Sequence, residues 1–89
     1  MSRVPVRLPS PLISYTAGQR DVEGEGGTLS ELFDDLDRQY PGIRFRMVDE
    51  QGQVRPHMRF FVNRELQRRI DVPLRDGDVV LVVAAISGG

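Results

Sequence analysis

The feature that most limits what this chain can become is one amphipathic helix with alternating segments on either side of it. Thr28 stands where an N-cap belongs and Glu31 follows three residues later, the reciprocal box in which each side chain bonds the other's backbone N–H. Leu29, Leu32, Phe33, Leu36 and Tyr40 recur at i, i+3, i+4, i+7 and i+11, which draws a single apolar stripe. Glu31, Asp34, Asp35, Asp37 and Arg38 take the other side, where a solvated face accounts for them. Pro41-Gly42 ends the helix, because proline cannot continue the hydrogen bonding and disfavours helical geometry at Tyr40. The expected class is therefore α+β, with one main helix on one face of a mixed sheet of four to five strands.

The strands are read from period-two alternation. Val4, Val6 and Leu8 share one face of a first strand. Pro9, Ser10 and Pro11 read as a turn, and Leu12 to Val22 as a returning strand through Ile13, Tyr15 and Val22, weak at Thr16-Ala17-Gly18-Gln19. Glu23 to Gly27 reads as a loop. After the helix, Ile43, Phe45 and Met47 alternate with Arg44 and Arg46, which predicts a short extended piece or irregular turn. Met58 to Asn63 reads as a strand, followed by a turn at Asn63-Arg64-Glu65 and a short piece near Leu66 to Ile70. Asp76-Gly77 turns the chain into Val79 to Ile86, apolar at every position, which fits a strand covered on both faces better than an edge strand.

If Val80 and Val82 face the helix with Phe60 and Val62, the pleat sends Val79, Leu81, Val83 and Phe61 to the opposite face. The sequence offers no second helix to cover them. That apolar patch, Phe61, Leu81 and Val83 with Leu66 and Arg59 beside it, is the expected partner-binding surface.

Charge and composition exclude several function classes. Twelve basic against 13 acidic residues give a net charge of −1, with no bulk attraction for nucleic acid or an anionic membrane. Arg68-Arg69 and the pair Arg44 and Arg46 read as solvated surface. With no cysteine there is no disulfide, thiolate nucleophile or cysteine metal site. His57 is the single histidine, Asp76-Gly77-Asp78 lacks the further ligands of a calcium loop, and Gly24, Gly26 and Gly27 lack the lysine and spacing of a phosphate cradle. No segment approaches the ~20 apolar residues of a membrane span and no signal-peptide pattern opens the sequence, so a cytoplasmic protein is expected.

The final residues, Ser87, Gly88 and Gly89, form a tail that can pass through a channel too narrow for side chains. At about 3.3 to 3.6 Å per residue it reaches roughly 10 Å beyond the strand. One domain over residues 1–89 is expected, with a flexible tail at 87–89.

Taken in order, the strand and helix pattern, Tyr40-Pro41-Gly42, Phe61-Val62-Asn63-Arg64-Glu65, Leu74-Arg75-Asp76-Gly77-Asp78 and Ser87-Gly88-Gly89 resemble the ThiS/MoaD ubiquitin-like sulfur carriers. Arg46-Met47-Val48-Asp49 and the stretch from Gln51 to Glu65 look like the CysO-type branch. Ala84 stands where family members often have proline, and Met58-Arg59 replaces one copy of a repeated valine-asparagine pair.

The resemblance implies a β-grasp fold and a carrier rather than an enzyme, with no bound cofactor. An E1-like enzyme of the MoeB/ThiF type would spend ATP to adenylate the Gly89 carboxylate, and a sulfur donor would displace AMP to leave a thiocarboxylate. An acceptor enzyme, such as one resembling cysteine synthase, would take the sulfur. Two alternatives share the fold: a ubiquitin-like modifier joined to lysines through Gly89, and an interaction domain in which the glycines are incidental.

Overall fold

The computed structural model describes residues 3–85. The helix α1, Leu29–Gln39, begins as its sequence requires: the Glu31 N–H donates to the Thr28 hydroxyl at 3.1 Å. The Glu31 carboxylate reaches back one residue further than a standard box and accepts from the Gly27 N–H at 2.7 Å. Two more N–H groups of the first turn, of Leu29 and Ser30, donate to the carbonyls of Val72 and Ile70 at 3.2 and 2.7 Å. The crossover through residues 70–74 thus satisfies the start of the helix. Leu29, Leu32, Phe33 and Leu36 are buried, and the Phe33 ring meets Phe60 at 4.8 Å between centroids, tilted by 59°.

Five strands form one mixed sheet: β1 Arg3–Arg7, β2 Asp21–Glu25, β3 Met58–Val62, β4 Glu65–Gln67 and β5 Val80–Ala84. Their order across the sheet is β2-β1-β5-β3-β4, with β1 and β5 parallel and every other neighbouring pair antiparallel. The α1 side of the sheet carries Val4, Val6, Val22, Phe60, Val62, Val80 and Val82, all buried. The strand phase expected for β3 and β5 is the one observed.

Three expectations are overturned. Leu12 to Val22 does not return as one strand: Ser10–Thr16 is a 3-10 helix started by Pro11, and Ala17 ends it in the left-handed region at φ 55°. Glu23 to Gly27 is not all loop, because β2 runs through Glu25. It carries no apolar alternation since Gly24 and Gly26 lie against α1; a Cβ on Gly24 would sit 2.8 Å from Leu32 Cδ1. Ile43–Met47 is a short helix, α2, with Ile43 and Met47 buried and Phe45 56% exposed. Asp37 holds its start, accepting from the Gly42 and Arg44 N–H groups at 3.1 Å each.

The acidic face of α1 is likewise more than a solvated surface. Asp35 accepts from the Glu25 N–H at 3.0 Å, clamping β2 to the helix, and from Arg38 at 2.8 Å. The Arg38 hydrogen bond, then that of the Glu25 N–H, holds its carboxyl below the usual carboxylate range.

Candidate functional site: the open sheet face at the end of β5

The last strand lies in the middle of the sheet, bonded to β1 on one side and β3 on the other. Its reading as a strand covered on both faces fails, because α1 covers only one. Leu81 remains 39% exposed and Val83 half-buried, so the far face is open among the described residues.

Register assembles that face from distant parts of the chain. Leu81 lies opposite Arg7 on one side and Phe61 on the other, and Phe61 in turn lies opposite Leu66. One row therefore runs Arg7, Leu81, Phe61, Leu66 across four strands. Arg59 pairs with Val83 in the next row, towards the exit of β5. Leu66 is 41% exposed and Phe61 half-buried. A hollow of ≈ 520 Å³ lies on one side of Arg7 and Leu81, bordered by Phe61, Arg64 and Val79; another of ≈ 490 Å³ lies beside Pro9, Pro11, Arg20 and Val83. The expected surface residues Phe61, Leu66, Leu81, Val83 and Arg59 thus form one contiguous patch. Arg7, not foreseen, ends the row on the β1 side, because only the parallel pairing of β1 with β5 brings it there.

A hydrogen-bonded clamp sets the position of β5. Asn63 and Arg64 turn β3 into β4 with φ 50° and 74°, the left-handed pair that a tight hairpin requires. The Asn63 N–H donates to the Val79 carbonyl at 2.9 Å, and its side-chain oxygen accepts the Val79 N–H at 3.0 Å. The Asn63 amide donates to Asp78 at 2.7 Å, and Asp78 also accepts the Arg75 N–H at 2.7 Å. The Arg75 N–H first, and the Asn63 amide second, hold the Asp78 carboxyl below its ordinary value. Asp76-Gly77-Asp78 therefore serves a turn, with Gly77 at φ 87°.

Residues Ser87, Gly88 and Gly89, on which the tail chemistry was expected, lie outside the described residues. His57 is exposed; its carbonyl accepts the Ala85 N–H at 2.6 Å, pinning the backbone just past β5. Among the described residues no group of histidine, aspartate and glutamate is arranged to hold a metal ion, and no helix is long and apolar enough to cross a membrane.

Comparison with known proteins gives this geometry a context. The sulfur carrier protein CysO of Mycobacterium tuberculosis is 33% identical over 91 residues, spanning 97% of this chain and 98% of the relative. The crystal structure of Mycobacterium tuberculosis CysO superposes with a TM-score of 0.88 at 32% identity, covering 93% of this chain and 99% of that one. A chain of the Amycolatopsis orientalis BexX/CysO complex gives the same TM-score at 30% identity, over 97% and 99% of the two chains. SAMP1 from Haloferax volcanii, 22% identical with a TM-score of 0.81 over 99% of this chain and all of that one, shares the fold. That shared architecture is the β-grasp. Matched from residue 6 to residue 89 by the pattern of the ThiS family, the chain belongs to that family.

Proposed function

We propose that this chain is a sulfur carrier that works through the Gly89 carboxylate and docks on its enzymes through the open face of the sheet. The observation that carries the proposal is the near full-length likeness to CysO sulfur carriers, which the family match extends through Gly89. An apolar face next to the end of β5 supports it: a partner seated there would meet the chain beyond Ala84 at its own surface.

The chemistry runs through the partner. A carboxylate oxygen of Gly89 attacks the α-phosphorus of ATP and expels pyrophosphate, giving an acyl-adenylate. A sulfur nucleophile attacks the carbonyl carbon, the carbon–oxygen bond to AMP breaks, and AMP departs with the electron pair. The resulting thiocarboxylate passes its sulfur to an acceptor enzyme, which the likeness to CysO suggests resembles cysteine synthase. The carrier itself supplies position and a docking surface.

Intact-mass spectrometry of the chain incubated with its activating enzyme, ATP and a sulfide donor tests this. The expected product is free protein in which one oxygen is replaced by sulfur, absent from a variant lacking Gly89 that unfolds at the same temperature. Because the chain has no cysteine, thiol-selective alkylation can report only the terminus. Branched conjugates to target lysines without thiocarboxylate would establish the modifier instead.

A further inference from the structure

The arginines of this protein differ in how they are partnered. Arg3, Arg7, Arg38, Arg44 and Arg69 each lie within an ion pair of an aspartate or glutamate. Arg55, Arg59 and Arg68 have no carboxylate partner among the described residues, yet all three line one cleft of ≈ 220 Å³ at the β3–β4 edge. The Arg55 side chain donates only to the Phe45 carbonyl, at 2.9 Å, with its guanidinium 4.4 Å from the Phe45 ring centroid. Arg59 donates only to the carbonyls of Pro56 and Met58, each at 2.8 Å. No carboxylate lines the cleft; Gln67 and Leu66 complete its polar and apolar sides.

The sheet places two of these arginines at the end of the β3–β4 ladder. β3 and β4 pair Phe61 with Leu66 and Phe60 with Gln67, where β4 ends, so Arg59 and Arg68 each adjoin the last paired position. Like charges lining one cleft repel each other. The neighbouring Arg69 is neutralised by Asp71 at 2.6 Å, whereas Arg68 is left uncompensated. Planar guanidinium forks in such an arrangement suit carboxylates, which they bind bidentately.

We propose that Arg55, Arg59 and Arg68 form a carboxylate-binding cleft at the rim of the open face, occupied by an acidic segment of a protein docked there. Continuity supports the choice of occupant, since Arg59 and Leu66 belong both to this cleft and to the face built around Phe61 and Leu81. A partner lying over the apolar row places its own edge above the three guanidinium groups, where acidic residues relieve the repulsion. The inference rests on the docking role proposed for that face and not on the chemistry of Gly89.

Titration of the full-length chain, labelled for NMR at its arginine Nε–H groups, with an acetylated tetraglutamate peptide tests this without any activating enzyme. Saturable shifts are expected at Arg55, Arg59 and Arg68, with the carboxylate-paired Arg38 and Arg69 unmoved. Binding should weaken steeply between about 0.01 and 1 M salt, as the Debye length falls from about 30 to 3 Å. Arg59→Gln combined with Arg68→Gln should weaken it about tenfold, the loss of one or two charge-assisted contacts. Uniform shifts over all exposed arginines, or inorganic phosphate saturating the cleft as tightly as the peptide, would overturn the proposal. Since the titration involves neither ATP nor Gly89, its failure is separate from failure of the carrier reading, which intact mass decides.

Discussion

Neighbouring phenylalanines on β3 point to opposite sides of the sheet, and exchanging them one at a time measures what each side does. Phe60 is fully buried against Phe33, so Phe60→Ala removes core packing and leaves a cavity, at a cost of about 3–5 kcal/mol. For a domain of this size about 1 kcal/mol moves the melting temperature by about 4–8 °C, so Phe60→Ala should lower it by about 12 °C or more. Phe61 lies on the open face and is only half-buried. Full burial of such a side chain contributes about 1.5–3 kcal/mol, so Phe61→Asp should cost about 1 kcal/mol. In partner binding the order reverses: a central aromatic anchor contributes about 2 kcal/mol, close to thirtyfold in affinity. The assay pairs thermal unfolding with ATP–pyrophosphate exchange by the activating enzyme proposed above, the carrier concentration being varied. Phe61→Asp should raise the KM for carrier about thirtyfold in a protein that still melts cooperatively. A melting temperature as low as that of Phe60→Ala would mean that the face is covered, and an unchanged KM would mean that the enzyme docks elsewhere.

Two further predictions concern the clamp before β5. Arg64 holds φ 74° in the hairpin turn, a conformation that costs an ordinary L-residue about 1–2 kcal/mol. Arg64→Gly relieves this while adding about 0.4–1 kcal/mol of unfolded-chain entropy, so a net gain of about 0.5–1 kcal/mol is expected in urea unfolding; a loss would show that Arg64 makes a compensating contact. Asp78→Asn should lower stability by about 1 kcal/mol at neutral pH, after allowance for partial exposure. The folded-state pKa of Asp78 is depressed, so its contribution is complete above the unfolded value of about 3.9 and disappears as pH falls through the folded value. The gap between wild type and Asp78→Asn should accordingly close as pH falls below the unfolded value, and a gap that persists in acid would assign the effect to shape rather than charge.

What could be read from the sequence was what local chemistry determines. α1 was legible because its cap, stripe and proline stop all act within a few residues, and the phase of β3 and β5 because alternation of Phe60 with Phe61, and of Val80 with Leu81, survives in the fold. α2 was hidden by a coincidence of periods. Ile43 and Met47 share a face in a strand and also, four residues apart, in a helix; only the exposure of Phe45 distinguishes the two. β2 escaped because its inner face is Val22 and a glycine, the space of a side chain being taken by Leu32. At the candidate site, Phe61, Leu66, Leu81, Val83 and Arg59 followed from alternation and its continuation. Arg7 and Arg68 did not, since one depends on a parallel pairing between the two ends of the chain and the other on the absence of a carboxylate that its neighbour possesses.

The position of β5 bears on how this protein is made. Its residues Val80 and Leu81 register with Val6 and Arg7, joining the last strand to the first, and its other edge carries β3. Such a long-range closure comes late in folding, because the intervening chain must be ordered before the contact returns any stabilisation. During synthesis the sheet stays split, with β1 and β2 on one side and β3 and β4 on the other, until the residues of β5 have left the ribosome. A chain broken off before Val80 therefore lacks the strand that joins the halves, and it meets proteases as an unfolded polypeptide. The topology thus couples native structure to completion of the strand that joins the two halves of the sheet.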